Sequence, residues 1–245
     1  MKLKYILALL LFIPVFLFSA DTPPLVNLSV AAVEEPEQFV KTINIMIILT
    51  LLVLAPTLLL MVTSFTRLMI VFSLLRQAMG LQQTPPNQII ISLSLILTFF
   101  IMQPYGEQAW EKGIKPYMDK TIGYEVAMKE SIDPFKNFML KNTRESDLAL
   151  FYRIKKQENP KNIKDISLTL LMPAFIVSEL RTAFEIGFLI FLPFLVIDII
   201  VASILMSLGM MMLPPVMISL PIKLIFFIII DGWHLIIGNL AQSFK

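Results

Sequence analysis

Residues 209–234, GMMMLPPVMISLPIKLIFFIIIDGWH, decide how the rest of the chain is interpreted. The stretch is apolar enough for a membrane segment, but three consecutive methionines, a proline pair and the charged residues Lys223 and Asp231 interrupt it. A charged side chain at the centre of a bilayer costs at least about 2.5 kcal/mol on insertion scales. These charges therefore require protein partners, a water-filled lumen, or both.

The composition around this stretch is that of an integral membrane protein. Hydrophobic residues make up 57% of the 245 residues and the mean hydropathy is +0.79, whereas soluble domains are about 45–50% apolar. The net charge of +2 comes from nearly balanced opposite charges, so nucleic acid is not an expected partner. The sequence has no cysteine, which excludes disulfides and thiolate-ligated metal sites.

Residues 1–20 have the order of regions found in a secretory signal peptide. Two lysines precede an apolar run that ends at small residues, and we expect cleavage after Ala20. Because Phe18 stands where a small residue is preferred, an uncleaved signal anchor is the alternative. Residues 21–41 show no helical period, and we expect an extended periplasmic segment.

Four apolar segments then predict an all-α integral membrane protein built from two helix hairpins. The first hairpin, residues 42–104, begins with an uncharged run long enough to cross a hydrocarbon core of about 30 Å. Its second run, residues 89–102, is short, which favours a hairpin packed on protein over one surrounded by lipid. The second hairpin, residues 183–245, has the methionines at its turn, and residues 221–240 are expected to form its last span.

A polar insert with its junction, residues 105–182, separates the hairpins. Residues 145–156 place apolar side chains at spacings of three and four, which predicts a small helical subdomain. Arg67 and Arg76 mark a cytoplasmic loop by the positive-inside rule, and we interpret them as anchors. The insert is then periplasmic.

Several motifs resemble those of one family. Residues 173–187, PAFIVSELRTAFEIG, and residues 221–233, PIKLIFFIIIDGW, are similar to signatures of the FliP family of flagellar export-gate proteins. Shorter similar stretches lie at residues 63–80, 85–88, 97–102 and 208–215. The resemblance implies a subunit of the flagellar type III secretion apparatus, located in the bacterial inner membrane and the flagellar basal body.

The resemblance also implies partners. In this family about five copies assemble with several copies of a two-helix subunit, FliQ, and one larger subunit, FliR, and they work with FlhA- and FlhB-like export components. Unfolded flagellar proteins pass through the centre of the assembly. No cofactor, metal or catalytic activity is expected, because the sequence has neither a Walker loop nor an HExxH motif, and its single histidine accompanies no recognisable serine-nucleophile motif.

The resemblance further implies that Met210, Met211 and Met212 form a loop that constricts the export channel. Thioether side chains are flexible and polarizable, so a ring of them can close on itself and then reshape around varied polypeptides. The alternative is that the three methionines merely fill an irregular turn.

Five charged residues are candidates for ion pairs that fix the subunit interface. Lys223 can pair with Asp198 or with Asp231, and the resemblance suggests a pair between Arg144 of one subunit and Glu179 of the next. For Lys223, Asp198 and Asp231 the alternative is a proton relay. For Arg144 and Glu179 the alternative is a solvated charged face. We favour structural pairs, because buried paired charges more often specify geometry.

The leading functional hypothesis is a channel-forming subunit of the export gate. The main alternative, argued from the residues alone, is a small-solute or ion transporter, since intramembrane charges and broken helices are typical of such proteins. A membrane scaffold whose insert binds a partner is a third possibility.

Overall fold

The computed structural model describes residues 36–157, 166–210 and 212–244, and these residues form helices and connecting turns without β-strands. The predicted signal peptide lies outside the described residues. The first described helix, α1, spans Pro36–Met61. Residues 36–41, expected to be extended, are therefore helical, and proline is readily accommodated at the first position of a helix.

The chain divides into two compact units, Met1–Leu51 and Leu52–Lys245. The described part of the first unit is the beginning of α1. Within α1, the segment Phe39–Met61 is long and apolar enough to cross a membrane, and none of the residues in its most apolar window is buried within the chain.

The second unit contains the remaining helices. They are α2 (Phe65–Ala78), α3 (Asn87–Ala109), a π-helical turn (Trp110–Ile114), α4 (Lys115–Met118), α5 (Tyr124–Asn142), α6 (Glu145–Ile154), α7 (Leu168–Ser207), α8 (Pro215–Ile229) and α9 (Gly232–Gln242).

Helix α2 lies at the centre of this unit. Its buried side chains recur at helical spacing, and it packs on both α7 and α3. The core continues into the insert through Phe138 of α5, whose ring lies 5.1 Å from Tyr105, 5.8 Å from Phe175 and 6.0 Å from Phe244, measured between ring centroids. Aromatic contacts thus join α3, α5, α7 and the segment after α9.

The predicted all-α membrane class is confirmed. By length and composition, Asn87–Met118 and Leu168–Ser207 can also cross a membrane, and α8 with α9 supplies a fourth candidate if the two count as one span. The last segment is not one continuous helix as predicted, because α8 and α9 meet at a 64° bend. The candidate span Asn87–Met118 is longer than the apolar run at residues 89–102 suggested, because α3 continues through the π-helical turn into α4.

The π-helical turn is held close to α5. A Cβ atom at Gly113 would collide with Ser131 and with the backbone oxygen of Ala127. Glycine therefore lets the π-helical turn and α5 approach each other closely within the insert.

Candidate functional site

A buried ion pair joins the start of α2 to α7. Arg67 Nε donates to Glu179 Oε2 at 2.8 Å, and Arg67 Nη2 donates to Glu179 Oε1 at 2.5 Å. The side chains of Arg67 and Glu179 are 4% and 0% exposed. Arg67 is therefore not a surface anchor as predicted, but half of a bidentate pair, the most favourable geometry for a guanidinium and a carboxylate.

The other N–H groups of Arg67 also have acceptors. Nη1 donates to the carbonyl oxygen and hydroxyl of Ser243 at 3.1 and 2.9 Å, and Nη2 donates to Asn142 Oδ1 at 3.3 Å. The centroid of the Phe244 ring lies 3.8 Å from Arg67 Cζ. All five donors of the guanidinium are thus satisfied, and one side chain connects α2, α5, α7 and the segment after α9.

A second network lies at the opposite end of α2. Lys223 Nζ donates to Asp198 Oδ2 at 2.6 Å and to the backbone oxygen of Ala78 at 3.1 Å. Ser219 Oγ donates to Asp198 Oδ1 at 2.6 Å. The ammonium group therefore neutralises Asp198 and also binds a terminal carbonyl of α2, where the helix dipole favours a positive charge.

Within the single chain, Lys223 lies against Asp198 and not Asp231. Its side chain is 3% exposed, whereas that of Asp198 is 38% exposed. The sequence pointed to the ion pair but not to the Ala78 carbonyl, because a backbone acceptor leaves no signature in the sequence. A role for these residues between subunits stays a prediction.

Arg144 and Glu179 have different partners within the chain. The Arg144 guanidinium donates to Glu185 at 3.1 and 2.6 Å, while Glu179 is enclosed with Arg67. The hydrogen bonds to Glu185 raise the pKa of Arg144 above its ordinary value. The pairing of Arg144 with Glu179 between subunits stays a prediction, and it requires Glu179 to leave Arg67.

Ser178 of α7 caps the start of α6. The Arg144 backbone N–H donates to Ser178 Oγ at 3.0 Å, and that hydroxyl donates to Asp147 Oδ2 at 2.7 Å. In an ordinary capping box, the side chain of residue N3 bonds directly to the backbone N–H of the N-cap residue of the same helix. Here a buried serine from another helix bridges them, which fixes the insert to α7. Sequence reasoning missed this contact, because the cap lies on a different helix.

The methionine loop connects α7 to α8. Gly209, with φ of +75°, ends α7 through the paired hydrogen bonds of a Schellman motif. Met212 is 98% exposed and Met210 is 41% exposed, whereas Met211 lies outside the described residues. The loop therefore presents two thioether side chains outward from a well-defined helix end.

Asp231 lies at the bend between α8 and α9. Its backbone is left-handed, with φ of +51°, and the residue is exposed. A Cβ atom at Gly232 would collide with the Phe227 ring, so glycine permits the close return of the chain after the bend. Asp231 and Lys223, which the sequence allowed to pair, are not brought together.

These observations define a class of protein. It is a helical membrane protein that satisfies most of its buried charges internally while it exposes a methionine loop and the sides of its longest helices. The described residues contain no cluster of His, Cys, Asp and Glu that could hold a metal ion. The exposed apolar sides of the long helices are suited to contact with lipid or with other protein.

Comparison with known proteins specifies the family. A sequence model of the FliP family matches residues 48–240, so the chain belongs to the FliP family. The flagellar biosynthetic protein FliP of Bacillus subtilis (strain 168) is 50% identical over 210 residues, which cover 86% of this chain and 95% of that protein. Its counterpart in Caulobacter vibrioides is 49% identical, with 84% of this chain and 77% of the relative covered.

A third relative extends the comparison. The flagellar biosynthetic protein FliP of Pectobacterium carotovorum is 47% identical, with 85% of this chain and 81% of the relative covered. The resemblance predicted from the motifs is confirmed. The chain belongs with flagellar biosynthetic proteins and not with enzymes.

Proposed function

We propose that this chain is a channel-forming subunit of the flagellar protein export gate in the bacterial inner membrane. About five copies assemble with FliQ-like and FliR-like subunits and work with FlhA- and FlhB-like components. Unfolded flagellar proteins cross the membrane through the centre of this assembly. The observation that carries the proposal is the outward display of Met210 and Met212 from a loop fixed by Gly209.

The chemistry of the loop supports a seal. Unbranched thioether side chains adapt to irregular surfaces without fixed hydrogen-bonding demands. Several copies of the loop, brought together by an oligomer, can fill a constriction and still deform around a passing polypeptide. The Schellman turn at Gly209 holds the backbone, so the deformation falls on side chains.

The length of α7 also supports an assembly that extends beyond the bilayer. The helix has 40 residues, which corresponds to about 60 Å. That length is about twice the hydrocarbon core. Part of α7 therefore needs protein or water around it, as it would have in a cone of subunits.

The exposed charges suggest which groups reach a neighbouring subunit. Arg144, Asp198 and Asp231 retain accessible surface in the single chain, so they can contact another subunit directly. Lys223 and Glu179 are buried, and they support the interface from within by holding α2 against α7 and α8.

The first test is the mass of the native complex. Gentle solubilisation of the full chain with its natural partners is expected to yield about five copies together with two other membrane proteins. A monomer or dimer without additional proteins would instead support a small-solute transporter. Deletion of the gene should abolish the filament and leave solute uptake unchanged.

The second test concerns the seal. Met210→Ala combined with Met212→Ala is expected to increase ion leakage through the assembled complex in liposomes. Met217→Ala is the matched control, since Met217 is 73% exposed but lies on α8 outside the loop. Equal leakage from the loop variant, the control and the wild type would refute the sealing role.

A further inference from the structure

Helix α9 is fastened at its far end by the residues that follow it. Phe244 is 5% exposed, and its ring stacks on that of Phe138 with 6.0 Å between the centroids. Arg67 donates to the carbonyl oxygen and the hydroxyl of Ser243, and its guanidinium lies over the Phe244 ring. We call these contacts of Ser243 and Phe244 with Arg67 and Phe138 the latch, because they join the last helix to α2 and α5.

The near end of α9 is a break in the helical backbone. Helix α8 ends at Ile229, and the two helices meet at 64°. Between them Asp231 has a left-handed backbone with φ of +51°, and no side-chain hydrogen bond caps the start of α9. Residues at the ends of helices can absorb large changes in backbone angle and so act as hinges. The break at Asp231 is therefore a place where α9 can turn as a unit.

Little packing holds α9 between these two ends. It packs on α8 but not closely on any other described helix. His234 and Leu235 in its first turn are exposed, and Ile236 and Ile237 are only partly buried. An apolar cavity of about 130 Å³ lies between this turn, α7 and α8. Side chains that face a cavity lack contacts on that side, so the first half of α9 is weakly held.

Opening the latch leaves the ion pair of Arg67 intact. Arg67 keeps both hydrogen bonds to Glu179 and the one to Asn142, and the Ser243 hydroxyl keeps its hydrogen bond to the Leu240 carbonyl. The contacts that are lost join Arg67 to neutral groups, so no buried charge loses its counter-charge. The far end of α9 can therefore separate while α2 and α7 stay fixed to each other.

We propose that residues 232–244 form a hinged strap, which pivots at Asp231 and is held closed by the latch. In the closed position the strap covers the junction of α2 and α5. Opening uncovers one face of the Phe138 ring and frees Nη1 of Arg67. The strap belongs to the single chain, so this inference goes beyond the proposed function and does not rest on it.

Distances between spin labels test the strap in the full chain, reconstituted in lipid nanodiscs. Because the sequence has no cysteine, labels attach only to introduced cysteines. Lys129→Cys is the fixed site, since it lies on α5 about 20 Å along the helix from Asn142, a range suited to double electron–electron resonance. The second label is placed in turn at Gln242, at His234 or at Phe184 of α7, which are exposed positions.

Phe244→Ala is the main variant. It is expected to increase the population of longer distances between Lys129 and Gln242 by about tenfold or more, because truncation of a buried phenylalanine removes much of the latch. Phe244→Leu stays apolar but loses the ring contacts, and it should give a smaller increase. The distance between Lys129 and Phe184, which reports on the rest of the fold, should stay unchanged.

The shape of the movement separates a hinge from a detached helix. A pivot at Asp231 moves Gln242 about three to four times as far as His234, because the displacement grows with the distance along α9. Phe72→Ala is the matched control, since Phe72 is a buried phenylalanine of α2 outside the latch, and it should leave the Gln242 distance as in the wild type.

Four results would overturn the proposal. The Gln242 distance could stay as in the wild type when Phe244 is truncated, or the Phe184 distance could change as much as the Gln242 distance. His234 could move as far as Gln242, or Phe72→Ala could lengthen the Gln242 distance as much as Phe244→Ala does.

Discussion

Replacing Arg67 with methionine should cause the largest loss of stability of any single charge removal in the described core. In the described part of the chain, Arg67 donates both of the side-chain hydrogen bonds that the Glu179 carboxylate accepts. Because Glu179 is 0% exposed, water cannot replace them without local opening. Methionine fills much of the space of arginine, so the variant isolates the loss of charge from the loss of volume.

The magnitude follows from this burial. Removal of one partner of a buried ion pair costs about 3–5 kcal/mol of folding stability. The loss has an upper limit, because an unpaired buried Glu179 can take up a proton and become neutral. Arg67→Met combined with Glu179→Leu should recover most of the stability, because a well-packed apolar pair is often as stable as a buried ion pair. Asn142 and Ser243 each keep one hydrogen bond, with Phe138 and Leu240 respectively, so their residual cost is about 1 kcal/mol each.

The assay is reversible unfolding of the purified chain in mixed micelles, followed by helicity as the denaturing detergent increases. Arg76→Met is the control, because Arg76 has neutral acceptors and lies at the edge of the fold, and it should lose about 1 kcal/mol. The reasoning would be refuted if Arg67→Met were as stable as Arg76→Met, or if the double variant were no more stable than Arg67→Met alone.

Three further perturbations follow from the same structure. Lys223→Met should destabilise the fold less than Arg67→Met, because Asp198 keeps the hydrogen bond from Ser219 Oγ and its side chain is 38% exposed to water. The same unfolding assay ranks the two variants. Ser178→Ala should cost about 1 kcal/mol through the lost cap and should accelerate hydrogen exchange in the first turn of α6 but not in α3. Gly209→Ala should cost about 1 kcal/mol through its left-handed backbone, whereas an alanine at Gly106, which lies inside α3 with open space around it, should not lower the unfolding midpoint.

Much of the architecture could be predicted because its signals are local. Apolar runs predicted the membrane class, and the methionines were expected at the turn that follows α7. The bend at Asp231 was missed, since residues 221–240 are apolar on both sides of it and composition alone favours one span. The bend brings Gly232 against the Phe227 ring, a contact that is visible only once the two helices are placed.

The charge networks were harder to predict because their members are far apart in the sequence. Arg67 and Glu179 are 112 positions apart, and nothing near Arg67 distinguishes a buried arginine from a cytoplasmic anchor. Lys223 and Asp198 were found as a possible pair because both interrupt apolar helices, which is itself a signal. The Ser178 cap had no signal of this kind, since a serine in a helix is common.

The placement of the two networks limits how the proposed gate can open. Arg67 with Glu179 fixes one end of α2 to α7, and Lys223 with Asp198 and the Ala78 carbonyl fixes the other end to α7 and α8. Sliding α2 along α7 by one helical turn, about 5.4 Å, would break both networks at once. In the described part of the methionine loop, the restraints are the turn at Gly209 and a backbone hydrogen bond from Leu213 to Met210, and no ion pair holds it. If the loop forms the seal proposed above, rearranging its side chains is less costly than sliding α2 along α7, because only the second movement breaks both networks.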